Sequence, residues 1–373
     1  MNNIQFIDLQ AQRAHIGASM DAAIANVLQH GKYIMGPEVA AFETRMAAFC
    51  GADFCVGCGN GTDALQLPLM AWNIGPGDAV FCPSFTFAAT AEMIALLGAT
   101  PVFIDVLPDS FNIDCDHLEL TIKQMKADGK LQLKAIIAVD LFGQTADYRR
   151  LRQIADAHGM KLVSDAAQGF GSTWEGEHSC VYADAVTTSF FPAKPLGCYG
   201  DGGAVLTNDS ELADILRSLR VHGKGSDKYD NVRIGVNSRL DTLQAAILLE
   251  KLSIFAEEIE KRNVVAERYR KGLGDKVGVP HVPEGVVSTW AQYTVLSDNR
   301  DGLQAGLKAK NVPSVVYYAK PLHLQTAYRD FPIGGNGLPV TEKLQNTVLS
   351  LPMHPYLDEE TQDYIIQSVV DAA

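Results

Sequence analysis

The chain has 373 residues, 47% hydrophobic and 20% charged, long enough for a large core and two domains. Acidic residues number 44 against 31 Lys and Arg, a net charge of −13. With no basic cluster to offset it, this charge argues against non-specific binding to nucleic acid or anionic lipid. The start, Met1-Asn-Asn-Ile, lacks the basic and apolar parts of a leader, and no segment has the apolar length of a spanning helix. Seven cysteines spread along the chain suit free thiols, so a cytoplasmic protein is expected. Cys55-Val-Gly-Cys58 has the spacing of a thiol pair but no second pair to make a zinc site, and the histidines form no metal pattern.

In chain order, Phe54–Cys58 reads as a strand and Asp63–Trp72 as a helix. Ala79–Cys82, Pro101–Asp105 and Ala135–Val139 are further short apolar strands. Asp147–His158 is a helix with Leu151, Ile154 and Ala155 on one face, stopped by Gly159. Strands follow at Lys161–Asp165, Ala185–Phe191 and Ala204–Thr207. This alternation, with runs apolar on both sides, predicts an α/β domain with a mostly parallel sheet. Leu243–Gly272 reads as a long charged helix with room for one break. Its stripe of Leu248, Leu252, Phe255 and Ile259 belongs to core or to a subunit contact. Beyond it, Tyr293–Leu296 and Val312–Tyr318 read as strands and Pro332–Pro339 as a loop of a smaller α+β domain. The expected division is 1–250 and 251–373, joined by the long helix.

Two residues carry the chemistry. Lys194 is delivered by the apolar run Ala185–Phe191 into a glycine-rich turn ending at Gly203. Apolar neighbours penalise its ammonium form, and a neutral amine attacks carbonyls. Asp165 ends the strand that begins at Lys161. A Schiff-base lysine together with an aspartate for a pyridinium nitrogen is what pyridoxal phosphate requires of a protein. Either alone also reads as a snorkelling lysine or a helix-capping aspartate. Gly57-Cys-Gly-Asn-Gly-Thr-Asp63 follows a strand and opens a helix, a place where free N–H groups favour an anion. It reads equally as a tight turn with a helix cap, and it matches neither a Walker loop nor a dinucleotide fingerprint. Gly200–Gly203 reads as a hairpin-like turn.

Taken in order, Gly36–Val39, Gly59-Asn-Gly-Thr-Asp-Ala-Leu65, Gly75–Asp78, Pro83-Ser-Phe-Thr-Phe-Ala-Ala-Thr90, Asp165-Ala-Ala-Gln168, Ser189–Gly203 and Gly235–Asp241 resemble the DegT/DnrJ/EryC1/StrS family of pyridoxal-phosphate sugar aminotransferases. The resemblance implies the aspartate aminotransferase-like fold, called fold type I. It also implies amino transfer from L-glutamate to a nucleotide-linked keto sugar, for bacterial surface polysaccharide such as O-antigen. Ser189–Gly200 and Leu351–Leu357 are most similar to the WbpE/WlbC-like branch, which aminates C3 of a UDP-linked 2-acetamido-3-oxo-hexuronate. By position, Lys194 matches the lysine that holds the cofactor and Asp165 the partner of its ring nitrogen. Gln168 matches the residue beside the ring oxygen, and Phe87 an aromatic stacked on the ring. Gly61, Thr62 and Ser189 fall at the phosphate. Asn237 matches a residue that reaches the phosphate of a neighbouring subunit, implying a homodimer with shared sites. Arg239, Tyr317, Tyr318 and His323 fall in substrate-binding segments. Relatives carry histidine where Tyr317 stands, which bears on the substrate rather than on the cofactor.

Other readings remain. A dehydratase of the same fold replaces the lysine by histidine, whereas Lys194 is present. A non-catalytic regulator lacks any basic patch here, and a nucleotide-binding oxidoreductase lacks its fingerprint. Within the aminotransferases, 3- or 4-oxo-6-deoxy sugars on UDP or dTDP are the alternative substrates.

Overall fold

The structure, a computed structural model, describes residues 4–227 and 229–373. Eleven strands occur among them: β1 Phe54–Cys58, β2 Asp78–Pro83, β3 Thr100–Ile104, β4 Gln132–Val139, β5 Lys161–Asp165, β6 Thr173–Trp174, β7 Ala185–Ser189, β8 Gly203–Thr207, β9 Val286–Val287, β10 Tyr293–Leu296 and β11 Val348–Leu351. The α-helices are α1 Leu9–Ile16, α2 Ala18–His30, α3 Pro37–Cys50, α4 Gly61–Ala71, α5 Ala89–Leu96, α6 Cys115–Asp128, α7 Tyr148–His158, α8 Ser210–Leu219, α9 Thr242–Leu273, α10 Arg300–Ala309, α11 Pro339–Thr347 and α12 Glu359–Ala372.

Seven strands form one sheet in the order β1-β8-β7-β5-β4-β2-β3. Strands β7, β5, β4, β2 and β3 run parallel, and β8 is antiparallel to both its neighbours. The pleat sends alternate residues to opposite faces. Phe81, Ile136 and Ala138 join a core with α3, α6, α7 and the first part of α9, while Val80, Ala135 and Ile137 join one under α4 and α5. Coverage on both sides explains why these strands are uninterrupted apolar runs.

Helix α9 is continuous from Thr242 to Leu273; its only glycine, Gly272, lies in the last turn, so nothing breaks the helix. Packing divides it past residue 250. Leu248, Leu252, Phe255 and Ile259 belong to the sheet's core, and Val265, Ala266, Tyr269 and Leu273 to a second core with β10, β11, α10 and α12. Ile4 packs against this second core, and Met353 N–H donates to Phe6 O at 3.2 Å. Val312–Tyr318, expected as a strand, is not one. Val315 makes an isolated bridge to Ser350, Pro313 has no N–H to give, and the chain turns at Tyr317. The two parts are tied by Asp105, which follows β3. Its carboxylate accepts from Val340 N–H at 3.0 Å, Thr341 N–H at 2.8 Å and Thr341 Oγ1 at 2.7 Å, capping α11. Among the described residues, no helix is long and apolar enough to cross a membrane.

A buried ion pair fastens the sheet's edge. Arg220, 4% exposed, meets Glu43 of α3 and donates to Gly57 O at 2.7 Å, while Gly57 N–H donates to Glu43 at 2.8 Å. Truncating Glu43 strands the guanidinium. We expect Glu43→Ala to cost about 3–5 kcal/mol in urea unfolding at neutral pH, and Glu43→Gln, which keeps an acceptor for Gly57, to cost clearly less.

Candidate active site

The carboxyl ends of parallel strands are where open α/β sheets leave room for ligands. Asp165 closes β5 in register with Val139 of β4 and Thr187 of β7. Lys194 lies in the segment from 190 to 202 that links β7 to β8, with its N–H donating to Phe191 O at 2.8 Å. Each group feels the other. Burial pushes the Lys194 amine below the usual lysine range, and Asp165 opposes that. Burial pushes the Asp165 carboxyl up, against Thr90 Oγ1 donating at 3.0 Å, Ala167 N–H at 3.3 Å and the charge of Lys194. An amine held below its usual pKa beside a carboxyl held above its own is suited to carbonyl addition and proton transfer.

The anion end forms where α4 begins. Asn60 caps the helix by accepting from Asp63 N–H at 2.8 Å, so the helix starts at Gly61, two residues earlier than its apolar pattern predicts. The N–H groups of Gly61 and Thr62 belong to the first turn, which has no intrahelical acceptors. Close approach is built in. A Cβ on Gly61 would lie 2.5 Å from Ser189 Cβ, and one on Gly203 would lie 2.3 Å from Asn60 O. Gly203 is thus required for contact with the α4 start rather than for a tight hairpin, because thirteen residues separate β7 from β8.

Gln168 is held from two sides: Phe142 N–H donates to its Oε1 at 2.8 Å, and its Nε2 donates to Tyr318 OH at 2.9 Å. Burial raises the Tyr318 phenol above its ordinary range, and Phe85 meets its ring edge-on at 6.0 Å. Tyr317 is half-buried beside it, with ring centroids 5.9 Å apart. Phe87 is 59% exposed just before α5. His323 is buried, with Nδ1 2.7 Å from Ser84 Oγ at the end of β2 and Nε2 3.5 Å from the Glu342 carboxylate. Ser238 accepts from Gly59 N–H at 2.9 Å and donates to Asp63 at 2.6 Å, fixing its segment against the α4 start. Its neighbours Asn237 and Arg239 are exposed and half-buried. Among the described residues no hydrogen bond joins either to Asp165, Gln168 or Lys194 within this protomer.

Asp165, Gln168, Tyr318 and Lys194 are therefore gathered at one end of the sheet, with Gly61, Thr62 and Ser189 at its anion end. Pyridoxal phosphate fits this set: Lys194 would take its aldehyde, Asp165 its ring nitrogen, and the first turn of α4, held against Ser189 by the close approach at Gly61, its phosphate. Thr90 and Asp140 escaped the sequence reading. Thr90 lies in a motif but gave no sign of bonding Asp165. Asp140 follows β4, fully buried, and accepts from Ala146 N–H at 3.0 Å and Tyr148 OH at 2.9 Å, with Ser164 Oγ at 3.4 Å. It shapes the turn that presents Phe142 N–H to Gln168.

The model of the DegT/DnrJ/EryC1/StrS aminotransferase family matches residues 14–370. The UDP-2-acetamido-2-deoxy-3-oxo-D-glucuronate aminotransferase of Pseudomonas aeruginosa is 50% identical over 356 residues, covering 95% of this chain and 96% of that protein. The crystal structure of a DegT DnrJ EryC1 StrS aminotransferase from Brucella abortus superposes with a TM-score of 0.97 at 56% identity, covering 98% of each chain. A structure of NtdA from Bacillus subtilis with bound cofactor PMP superposes at 0.85 with 28% identity, covering 98% of this chain and 83% of that one.

Burial pushes the Asp140 carboxyl up to about 7, against its hydrogen bonds from Ala146 and Tyr148. The folded state thus holds this proton more tightly than the unfolded one. The carboxyl favours folding at low pH and loses that contribution as pH rises from 3.8 through about 7. In cofactor-free protein, the melting temperature of the wild type is expected to fall relative to that of Asp140→Asn across this window. Parallel melting curves would contradict the assignment.

Proposed function

The chain belongs to the DegT/DnrJ/EryC1/StrS aminotransferase family and is a pyridoxal-phosphate-dependent sugar aminotransferase; we propose that it moves an amino group from L-glutamate to C3 of UDP-2-acetamido-2-deoxy-3-oxo-D-glucuronate. The observation that carries the substrate is 50% identity, over nearly the full length of both chains, to an enzyme named for that sugar. The chemistry rests on the juxtaposition of Lys194 and Asp165.

Pyridoxal phosphate, when bound, supplies a conjugated ring that draws electrons from a bond at the carbon of an attached amine. Asp165 keeps the ring nitrogen protonated: a buried anion raises the pKa of a neighbouring cation, and Thr90 holds the carboxylate in place. Lys194 Nζ would hold the cofactor's aldehyde carbon and, as a free amine, would carry a proton as base and then as acid. Burial holds its pKa below the usual lysine range, which favours the neutral amine. The first-turn N–H groups of α4 and the hydroxyls of Thr62 and Ser189 bind the phosphate. Gln168 orients the ring oxygen, itself braced by Phe142 and Tyr318, and Phe87 covers the ring face. Tyr317, Tyr318, His323 and Arg239 border the sugar.

The working unit in this reading is a homodimer in which Asn237 of one subunit completes the phosphate site of the other. Asn237 is exposed, and so are the apolar side chains of Tyr33, Ile34, Met35, Phe191 and Ile234, which pairing would cover.

Lys194→Ala should abolish release of 2-oxoglutarate from glutamate and the UDP-linked 3-oxo-uronate, and Asp165→Asn should lower it by at least about two orders of magnitude. Near-normal turnover in Lys194→Ala would refute the assignment. In a panel of keto sugars, reaction confined to 6-deoxy substrates would replace the uronate and leave the aminotransferase intact. Shared sites have their own test. Lys194→Ala and Asn237→Asp are each expected to be inactive alone, yet subunits refolded together should regain about a quarter of wild-type turnover, because half the dimers are mixed and each holds one complete site. Absence of recovery despite mixed dimers would place Asn237 outside its partner's site.

A further inference from the structure

The thiols do not meet where the sequence spacing brings them closest. Cys55 and Cys58 lie three residues apart on β1, so the pleat separates them: Cys55 joins the core beneath α3, and Cys58 the one beneath α4 and α8. A different pair converges. Cys50 ends α3, and Cys180 sits in the 3₁₀ turn Ser179–Val181, 130 residues further on. Cys180 Sγ donates to Cys50 O at 2.6 Å, which sets its sulfur against the residue that carries the other thiol, and Cys50 Sγ donates to Met46 O at 3.2 Å. Both are buried, at 7% and 3% exposure, and a small cavity bordered by Gly169, Phe170 and His178 opens beside them.

We propose that Cys50 and Cys180 form a redox modification site, closing a reversible intramolecular disulfide by exchange with a small-molecule disulfide. Cys180, as thiolate, attacks one sulfur of the oxidant and expels the other as a thiolate. Cys50, once deprotonated, then attacks Cys180 Sγ in the mixed disulfide and expels the second. One protein dithiol loses two electrons and two protons, and one oxidant disulfide becomes two thiols. The environment distinguishes the roles. The nearness of Cys50 holds the Cys180 thiol below its usual range, while the nearness of Cys180 and burial push Cys50 up. The low-pKa member attacks and the other resolves.

Bridging requires the sulfurs to approach to about 2.05 Å, and both supports can yield. Cys50 is the last residue of α3, followed by Gly51 at φ +69° with nothing within 4 Å of the place a Cβ would take. Cys180 lies in a single turn of three residues. That turn touches the floor of the active site, because Ser164 Oγ donates to Ser179 Oγ at 3.0 Å and Ser164 directly precedes Asp165. Cys55 is close enough to Cys50 to raise its pKa, which makes it the competing partner.

The test holds the cofactor-loaded, full-length protein in glutathione buffers of rising oxidised fraction, followed by alkylation and peptide mapping without reductant. The expected result is loss of two of the seven thiols, a link between the Cys50 and Cys180 peptides, a mass lower by about 2 Da, and reversal by dithiothreitol. Cys50→Ser and Cys180→Ser should each prevent the link, and Cys58→Ser should not. A Cys50–Cys55 link, glutathione retained on either cysteine without a link, or seven thiols surviving fully oxidised glutathione would overturn the proposal.

Discussion

The site depends on two opposite charges taken out of water together. Burial drives Asp165 toward its acid and Lys194 toward its free amine, and each restrains the other. In a medium less polarisable than water, such mutual influence is several-fold stronger than at a surface. Each group is thereby held off its ordinary pKa in the direction of its neutral form, and each is set to respond to a ligand that brings a new charge between them. The sheet makes the arrangement possible: β5 supplies the carboxylate from its end, and the antiparallel return of β8 beside β7 forces the chain through the loop that carries the amine. A purely parallel continuation would need a crossover helix there.

The anion end obeys a steric constraint rather than an electrostatic one. Gly61 and Gly203 allow three pieces of backbone, the α4 start, the end of β7 and the start of β8, to touch where any side chain would hold them apart. Ser238 then fastens the segment bearing Asn237 and Arg239 to the same helix start. Asn237, proposed to serve a neighbouring subunit, is thus positioned by the phosphate loop of its own.

Much of this was legible in the sequence because local rules and global fold agree. The sheet strands are short apolar runs, and covering helices on both faces make such runs necessary. Lys194 and Asp165 stand out because each is a charge placed in apolar surroundings. Val312–Tyr318 misled because β-branched and aromatic residues satisfy strand propensity without a partner to pair with; only Ser350 answers, at Val315. Asp140 and Thr90 were silent for another reason. Their importance comes from register between strands and from a helix packed behind them, which residue type does not encode. The meeting of Cys50 with Cys180 is the extreme case, since the spacing that draws the eye belongs to Cys55 and Cys58.

The tie between Phe6 and Met353, with Ile4 lodged against the second core, bears on how the molecule is made. The ribosome releases the whole seven-stranded sheet, whose last strand ends at Thr207, long before β11 and α12 emerge. The sheet can condense early, as folding units do in large proteins, while Ile4 and Phe6 gain their partners only once the second core is present. The seam between Phe6 and Met353 therefore shuts only after both cores have formed, and it joins segments that lie far apart along the polypeptide.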